Sequence, residues 1–394
     1  MSLETIGAET SLVEGIGEGI SRSPLLKRQM PGLDALRGIA VLSVLFYHGL
    51  NWGVVQRPPA HSMMERILGL FVFGWLGVFL FFVLSGFLIT GILLDSKEKP
   101  HYWRNFYIRR ALRILPILVL VLVVVKVFYH ATWLYIAICM AYMANLAQMF
   151  HLDGPKYGVL WSLAVEEQFY LGWPWLVRYF SRRHLGMAAA GLVLLSPLLR
   201  GLSTAGIVPL GDPHSMTWLI SDNLAIGALL AIMLRSKWGS VQRVRRCAVW
   251  LLSSGVLLLF GCIPLGILHR ESILGSAVQT VPFELIFAAL LLFSLLEGER
   301  PAVMAWTRPL RFFGYISYGL YLYHELVFTF CDAGLRQLGF FQRWSAVDWV
   351  WRFVAEAALS VLVAYFSRRY FEAFFLGLKG RLTPSSGKFE VREG

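Results

Sequence analysis

Lipid offers the backbone no hydrogen-bond partner, so long apolar runs of chain cross a bilayer as helices or as a closed barrel. This chain has eleven such runs, near 35–55, 68–94, 110–129, 131–150, 159–178, 185–202, 217–234, 247–265, 278–297, 312–331 and 347–367. Most approach the ~20 residues that a helix needs to span the hydrocarbon. Hydrophobic residues make up 57% of the 394 and charged residues only 15%. The expected fold is therefore an all-α polytopic membrane protein.

Charge then decides how many runs cross. If all eleven did, "RYFSRRH" at 178–184 would lie outside and the basic "RSKWGSVQRVRRC" would follow it to the wrong side, against the positive-inside rule. If the fourth run, "ATWLYIAICMAYMANLAQMF", dips in and returns, a bundle of about ten transmembrane helices with one re-entrant segment remains and both termini are cytoplasmic. The cytoplasmic segments then hold 27 of the 36 lysines and arginines. A re-entrant segment requires protein or a water-filled cavity around its backbone, so this topology implies a cavity. Topology also accounts for the net charge of +12, which leaves no reason to invoke nucleic acid. The four cysteines lie in or beside apolar runs without CxxC spacing, so neither a metal site nor a disulfide framework is expected. Residues 1–30 are expected as a mobile cytoplasmic tail and 373–394 as a polar cytoplasmic tail.

Within this frame a few ionisable residues stand out. Arg37 and His48 lie eleven steps apart on the first helix, close to three turns, so they share a face about 16 Å apart along the axis. An ionisable group at that depth points to a functional pathway. "FFVLSGF" brings Ser85 near the cytoplasmic end of the second span, where small residues also let helices approach. "RNFYIRRALRILP" places Arg110 and Arg113 on one helical face with Arg109 beside them, a grouping able to grip phosphate. In "YGVLWSLAVEEQFYLGWPW", adjacent Glu166 and Glu167 point about 100° apart, so at most one faces a cavity squarely. Glu166 shares its face with Ser162 and Tyr170, and a carboxylate there is expected to orient His48. Trp161, Gln168, Asp222 and His324 complete the candidate cavity lining.

Taken in order, LDALRG with Arg37 and His48, FFVLSGF, RRALRILP, WSLAVEEQFYLGWP and ISYGLYLYH closely resemble the acyltransferase 3 family of integral membrane O-acyltransferases. The resemblance spans roughly 31–372, the expected transmembrane domain. It implies transfer of an acyl group, usually acetyl from cytoplasmic acetyl-CoA, to a hydroxyl of a carbohydrate or other acceptor in a bacterial inner membrane. It also implies that His48 is the catalytic histidine, acting as base or transient acyl carrier. Arg37 is then its motif partner, and Arg110 with Arg113 the RxxR element associated with the donor. Arg109 and Ser85 join that expected donor-binding set.

This chain departs from the family pattern in two places. Many relatives carry an arginine two positions before the acid of the seventh span, where this chain has Ile220, and His324 is followed by Glu325 with no nearby proline. The rival class is a secondary transporter or acyl-group exporter, which would also hold intramembrane histidine and acids. The internal two-fold repeat typical of transporters is not evident in the sequence.

Overall fold

The computed structural model describes residues 23–27, 29–51, 69, 71–147, 157–267, 271–338 and 346–383. The expected N-terminal tail lies mostly outside these residues. The order of elements is α1 (Pro31–Asn51), a 3-10 turn (Val72–Trp75), α2 (Leu76–Ser96), α3 (Tyr102–Phe128), α4 (Trp133–Met140) and a second 3-10 turn (Ala144–Leu146). Then come α5 (Leu160–Tyr179), α6 (Arg182–Thr204), α7 (Thr217–Met233), α8 (Val241–Cys262), α9 (Ile273–Val278), α10 (Val281–Glu297) and α11 (Pro301–Trp306). The chain ends in α12 (Arg308–Gln337), α13 (Ala346–Phe366), a π-helical stretch (Ser367–Glu372), α14 (Ala373–Gly377) and α15 (Lys379–Leu382).

Seven helical stretches among the described residues are long and apolar enough to cross a membrane: α1, α2 with its preceding turn, α3, α6, α8, α9 with α10, and α13 with the segments after it. Helix α7 is apolar but has only 17 residues. Helices α5 and α12 have 20 and 30 residues, long enough to span, but polar and aromatic side chains lower their hydropathy. Those two helices carry Glu166, Glu167, His324 and Glu325.

The described residues of the fourth apolar run form no membrane-length helix. Helix α4 has eight residues, about 12 Å. The chain then turns through Tyr142 at a left-handed φ of 56°. Gln168 donates to the Tyr142 carbonyl (2.7 Å) and to Asn145 Oδ1 (2.9 Å), and Asn145 donates to the Ser215 carbonyl (3.2 Å). Irregular backbone is thus met by side chains of the bundle, as it must be away from water. The polar tail expected from 373 starts later, because α14 and α15 fold back on α3: Arg104 donates to the Leu382 carbonyl and Arg109 to Thr383.

Close crossings set the geometry of the site. A Cβ on Gly38 would lie 1.9 Å from the Leu310 carbonyl, and one on Gly314 2.0 Å from that of Asp34. Two reciprocal glycines therefore let α1 and α12 touch backbone to backbone, which brings His48 against His324. Gly86 and Gly227 do the same between α2 and α7.

Candidate active site

Three adjoining cavities run along α1. The first is a mouth of about 210 Å³ at the start of α1, where Arg37, Arg113, Arg311, Arg368 and Lys379 face only Asp34 and Glu372. The second is a middle chamber of about 180 Å³ that shares Arg37, Arg113, Ser317 and Tyr318 with the mouth. Its walls include Ser85, Arg110, Ser162 and Glu166. The third, of about 320 Å³, contains His48 and shares Val78 and Tyr321 with the chamber. Arg37 and His48 thus stand at opposite ends of one track, about 16 Å apart along α1.

At the far end, His324 Nε2 lies 3.0 Å from His48 Nδ1, and His324 Nδ1 lies 3.1 Å from the Leu320 carbonyl. A carbonyl only accepts, so neutral His324 carries its proton on Nδ1 and accepts at Nε2. His48 then donates from Nδ1, which makes its Nε2 the basic nitrogen. Glu325, the next residue of α12, accepts from the backbone amides of Gly158 (2.9 Å) and Val159 (3.2 Å). It caps α5, whose N-cap residue Val159 makes no side-chain cap of its own. The start of α5 is further fixed by Tyr157, which donates to the Leu322 carbonyl.

The expected role of Glu166 and Glu167 in orienting His48 needs correction. Arg110 donates to Glu167 Oε1 from both Nε (2.9 Å) and Nη2, and Glu166 Oε2 is 3.9 Å from the same guanidinium. Arg110 also sits 3.7 Å above the Tyr170 ring, and Tyr170 donates to Ser85. Arg110 is a forked cation one helix away from two desolvated carboxylates, and it claims both. A ring contact at His48 comes from His324. Arg110 is thereby tied down, whereas Arg113 has no ion-pair partner among the described residues and lines both the mouth and the chamber.

Other expected residues sort by position. Ser85, Arg37, Arg113, Ser162 and Glu166 line the chamber, and Trp161 lines the His48 cavity. Arg109 turns away from the track to Thr383 (2.9 Å). Gln168 is the clasp on the 142–145 turn rather than a cavity wall. Asp222 is fully buried in an ion pair with Arg200 (2.6 Å), which also donates to the Ser276 carbonyl (3.1 Å) and Thr280 (2.7 Å). A guanidinium thus reaches Asp222 from α6, and the pair ties α6 to α7.

The sequence profile described as an acyltransferase domain matches residues 30–369. The chain belongs to the acyltransferase 3 family. Among curated relatives, it is 29% identical over 378 residues to "Peptidoglycan O-acetyltransferase OatA" of Listeria monocytogenes serovar 1/2a, covering 88% of this chain and 56% of that protein. It is 30% identical over 338 residues to "Putative peptidoglycan O-acetyltransferase YrhL" of Bacillus subtilis (strain 168), covering 75% of this chain and 48% of that protein. The chain therefore spans about half the length of the curated relatives it matches. No solved structure matches it significantly.

Several residues of this acyltransferase 3 site escaped the sequence reading. Tyr321 divides the chamber from the His48 cavity, and its hydroxyl is 2.5 Å from Ser162 Oγ. It lies one turn before His324 inside ISYGLYLYH, so helical spacing could have flagged it. Arg311, Arg368 and Lys379 had read as topological charge. Asp212 and His214, which line the His48 cavity, come from an irregular loop with no periodicity to mark them.

Proposed function

We propose that this chain is an integral O-acyltransferase of a bacterial cytoplasmic membrane, moving acetyl from cytoplasmic acetyl-CoA to a hydroxyl of a glycan. In this reading ten helices cross, the 131–150 segment is re-entrant, and both termini and the basic mouth face the cytoplasm. One observation carries the proposal: a track of three adjoining cavities from a mouth with five cations to the paired rings of His48 and His324.

The mouth suits the phosphates of coenzyme A, which Arg37, Arg113 and their neighbours would bind as anions. The chamber suits the pantetheine arm, since Arg37 and His48 lie about 16 Å apart along α1 and an arm spanning that distance brings a thioester near His48. His48 Nε2 removes the acceptor hydroxyl proton as the oxygen attacks the thioester carbonyl. The carbon–sulfur bond breaks, and the proton on His48 passes to the departing thiolate. His324 keeps Nδ1 protonated throughout and stabilises the imidazolium. Charge on His48 during the step makes direct base catalysis the natural use of this ring pair.

The test is calorimetric titration of acetyl-CoA and desulfo-CoA into purified wild type and His48→Ala, with transfer followed by mass spectrometry. Binding to both proteins, with acetyl transfer by wild type alone, supports the proposal. Absence of binding in folded protein overturns it.

A further inference from the structure

The cavity around His48 has a chemistry unlike the rest of the track. Trp75 at the start of α2 and Trp161 in the first turn of α5 line it, together with Tyr47 and Phe79. Trp75 stands edge-on to Phe79 at 5.2 Å, and Trp161 edge-on to Phe82 at 6.3 Å, so both indoles are braced by their neighbours. The same cavity is also lined by Asn145, Asp212, His214 and Ser215. The loop that carries the last three is shaped by Asp212, which accepts from the His214 amide (3.2 Å) and the Ser215 hydroxyl (2.6 Å). Asn145 is fixed in turn by the Gln168 clasp (2.9 Å).

No lysine or arginine is among the described residues that line this cavity, and Asp212 would repel an anion. An apolar acyl chain would strand the polar side, and a phosphate would find no cation. Aromatic surfaces together with a carboxylate, an imidazole and a hydroxyl in one lining suit a neutral ring with apolar C–H faces and equatorial hydroxyls. The volume, about 320 Å³, lies at the small end of ligand sites, roughly 300–1,000 Å³. It holds one ring rather than an oligomer.

We propose that the His48 cavity is an acceptor subsite that holds a single pyranose ring, with Trp75 and Trp161 against its C–H faces and Asp212 and His214 on its hydroxyls. This rests on the acyltransferase reading and adds to it the residues that select the acceptor. A hydroxyl of the bound ring then meets His48 inside the bundle.

The experiment uses the full chain in lipid nanodiscs, with chitotriose, cellotriose and glycerol as acceptor probes and coenzyme A as the donor-side probe. Binding is read by calorimetry and acetyl transfer by mass spectrometry, for wild type, Asp212→Asn, Trp161→Ala and Trp161→Phe. At least one trisaccharide saturates wild type at millimolar concentration while glycerol does not. Its affinity falls about tenfold or more in Asp212→Asn and in Trp161→Ala, and returns in part in Trp161→Phe. Coenzyme A affinity stays the same in all variants that remain folded.

If neither trisaccharide saturates wild type that still binds coenzyme A, the pyranose subsite is wrong and the donor reading stands. Equal sugar affinity in wild type, Asp212→Asn and Trp161→Phe also overturns it, as does transfer to a serine peptide with none to sugar. Loss of coenzyme A binding in wild type overturns the donor reading, and the sugar titration still judges the subsite on its own.

Discussion

In the proposed reaction, the histidine at 48 works through what its partner can and cannot accept. His324 Nδ1 is committed to the Leu320 carbonyl, so its Nε2 presents a lone pair to His48 Nδ1, and the basic nitrogen of His48 is set by that chain. His324→Phe removes the acceptor while keeping an aromatic volume. Turnover is expected to fall by about 10²-fold with the donor KM unchanged, and His324→Gln, whose amide oxygen still accepts, should recover part of it. Equal kcat in the Phe and Gln variants would mean that the second ring only fills space. Arg110 gives a second residue-scale prediction. Truncation to Met strands Glu167 and Glu166 in the bundle, at a cost of about 3–5 kcal/mol, read as a lower melting temperature in detergent. The double variant Arg110→Met, Glu167→Met removes the stranded charge, so it should melt above the single one. Identical melting of the two would show that Glu167 does not depend on its arginine.

Helices place these residues only as well as they pack, and the α1–α12 crossing is the one that matters for the ring pair. Its glycines meet opposing carbonyls at distances no Cβ can share, whereas Gly172 on α5 has nothing within 4 Å of the same construction. Gly314→Ala is therefore expected to destabilise the bundle by about 1–3 kcal/mol and to reduce turnover by parting His48 from His324. Gly172→Ala should leave the melting temperature unchanged or raise it slightly. Comparable losses in the two would place the crossing elsewhere. Elements of this kind were legible unevenly in the sequence. Apolar runs marked the long helices, although α3 begins eight residues before its run and α12 ends six residues after its run, and positive-inside charge singled out 131–150, whose described residues hold an eight-residue α-helix. The pairing of side chains across helices was not legible, because one chain read alone gives helical faces and no neighbours. Glu166 and Glu167 were recognised as unusual yet assigned to His48 rather than to Arg110, and Asp222 was read without Arg200, 22 residues before it in the chain.

At the scale of the whole molecule the track is electrically polar. Five cations and two acids ring one mouth, while the described lining of the far cavity has no lysine or arginine. In the proposed reaction, two substrates of different charge thus approach one histidine from opposite ends without competing for a binding surface. A highly charged donor is drawn to the mouth over a distance set by the Debye length, about 10 Å at 0.1 M salt. A neutral acceptor at the other end feels no such pull. Raising ionic strength should therefore increase the acetyl-CoA KM and leave the acceptor KM unchanged. Arg368 packs over Tyr315 at 4.6 Å, and the Arg311 guanidinium donates to the Met304 carbonyl (2.8 Å), so both cations are held in place at the mouth. Arg311→Gln and Arg368→Gln should each raise the acetyl-CoA KM by about three- to tenfold, the equivalent of roughly 0.7–1.4 kcal/mol, with kcat retained. Each should also flatten the salt dependence, because one fewer charge is left to be screened. Initial rates across a salt series, with donor and acceptor varied in turn, measure both effects. A salt dependence as steep in the variants as in wild type would remove these arginines from the donor's path and leave Arg37, Arg113 and Lys379 as its anchors at the mouth.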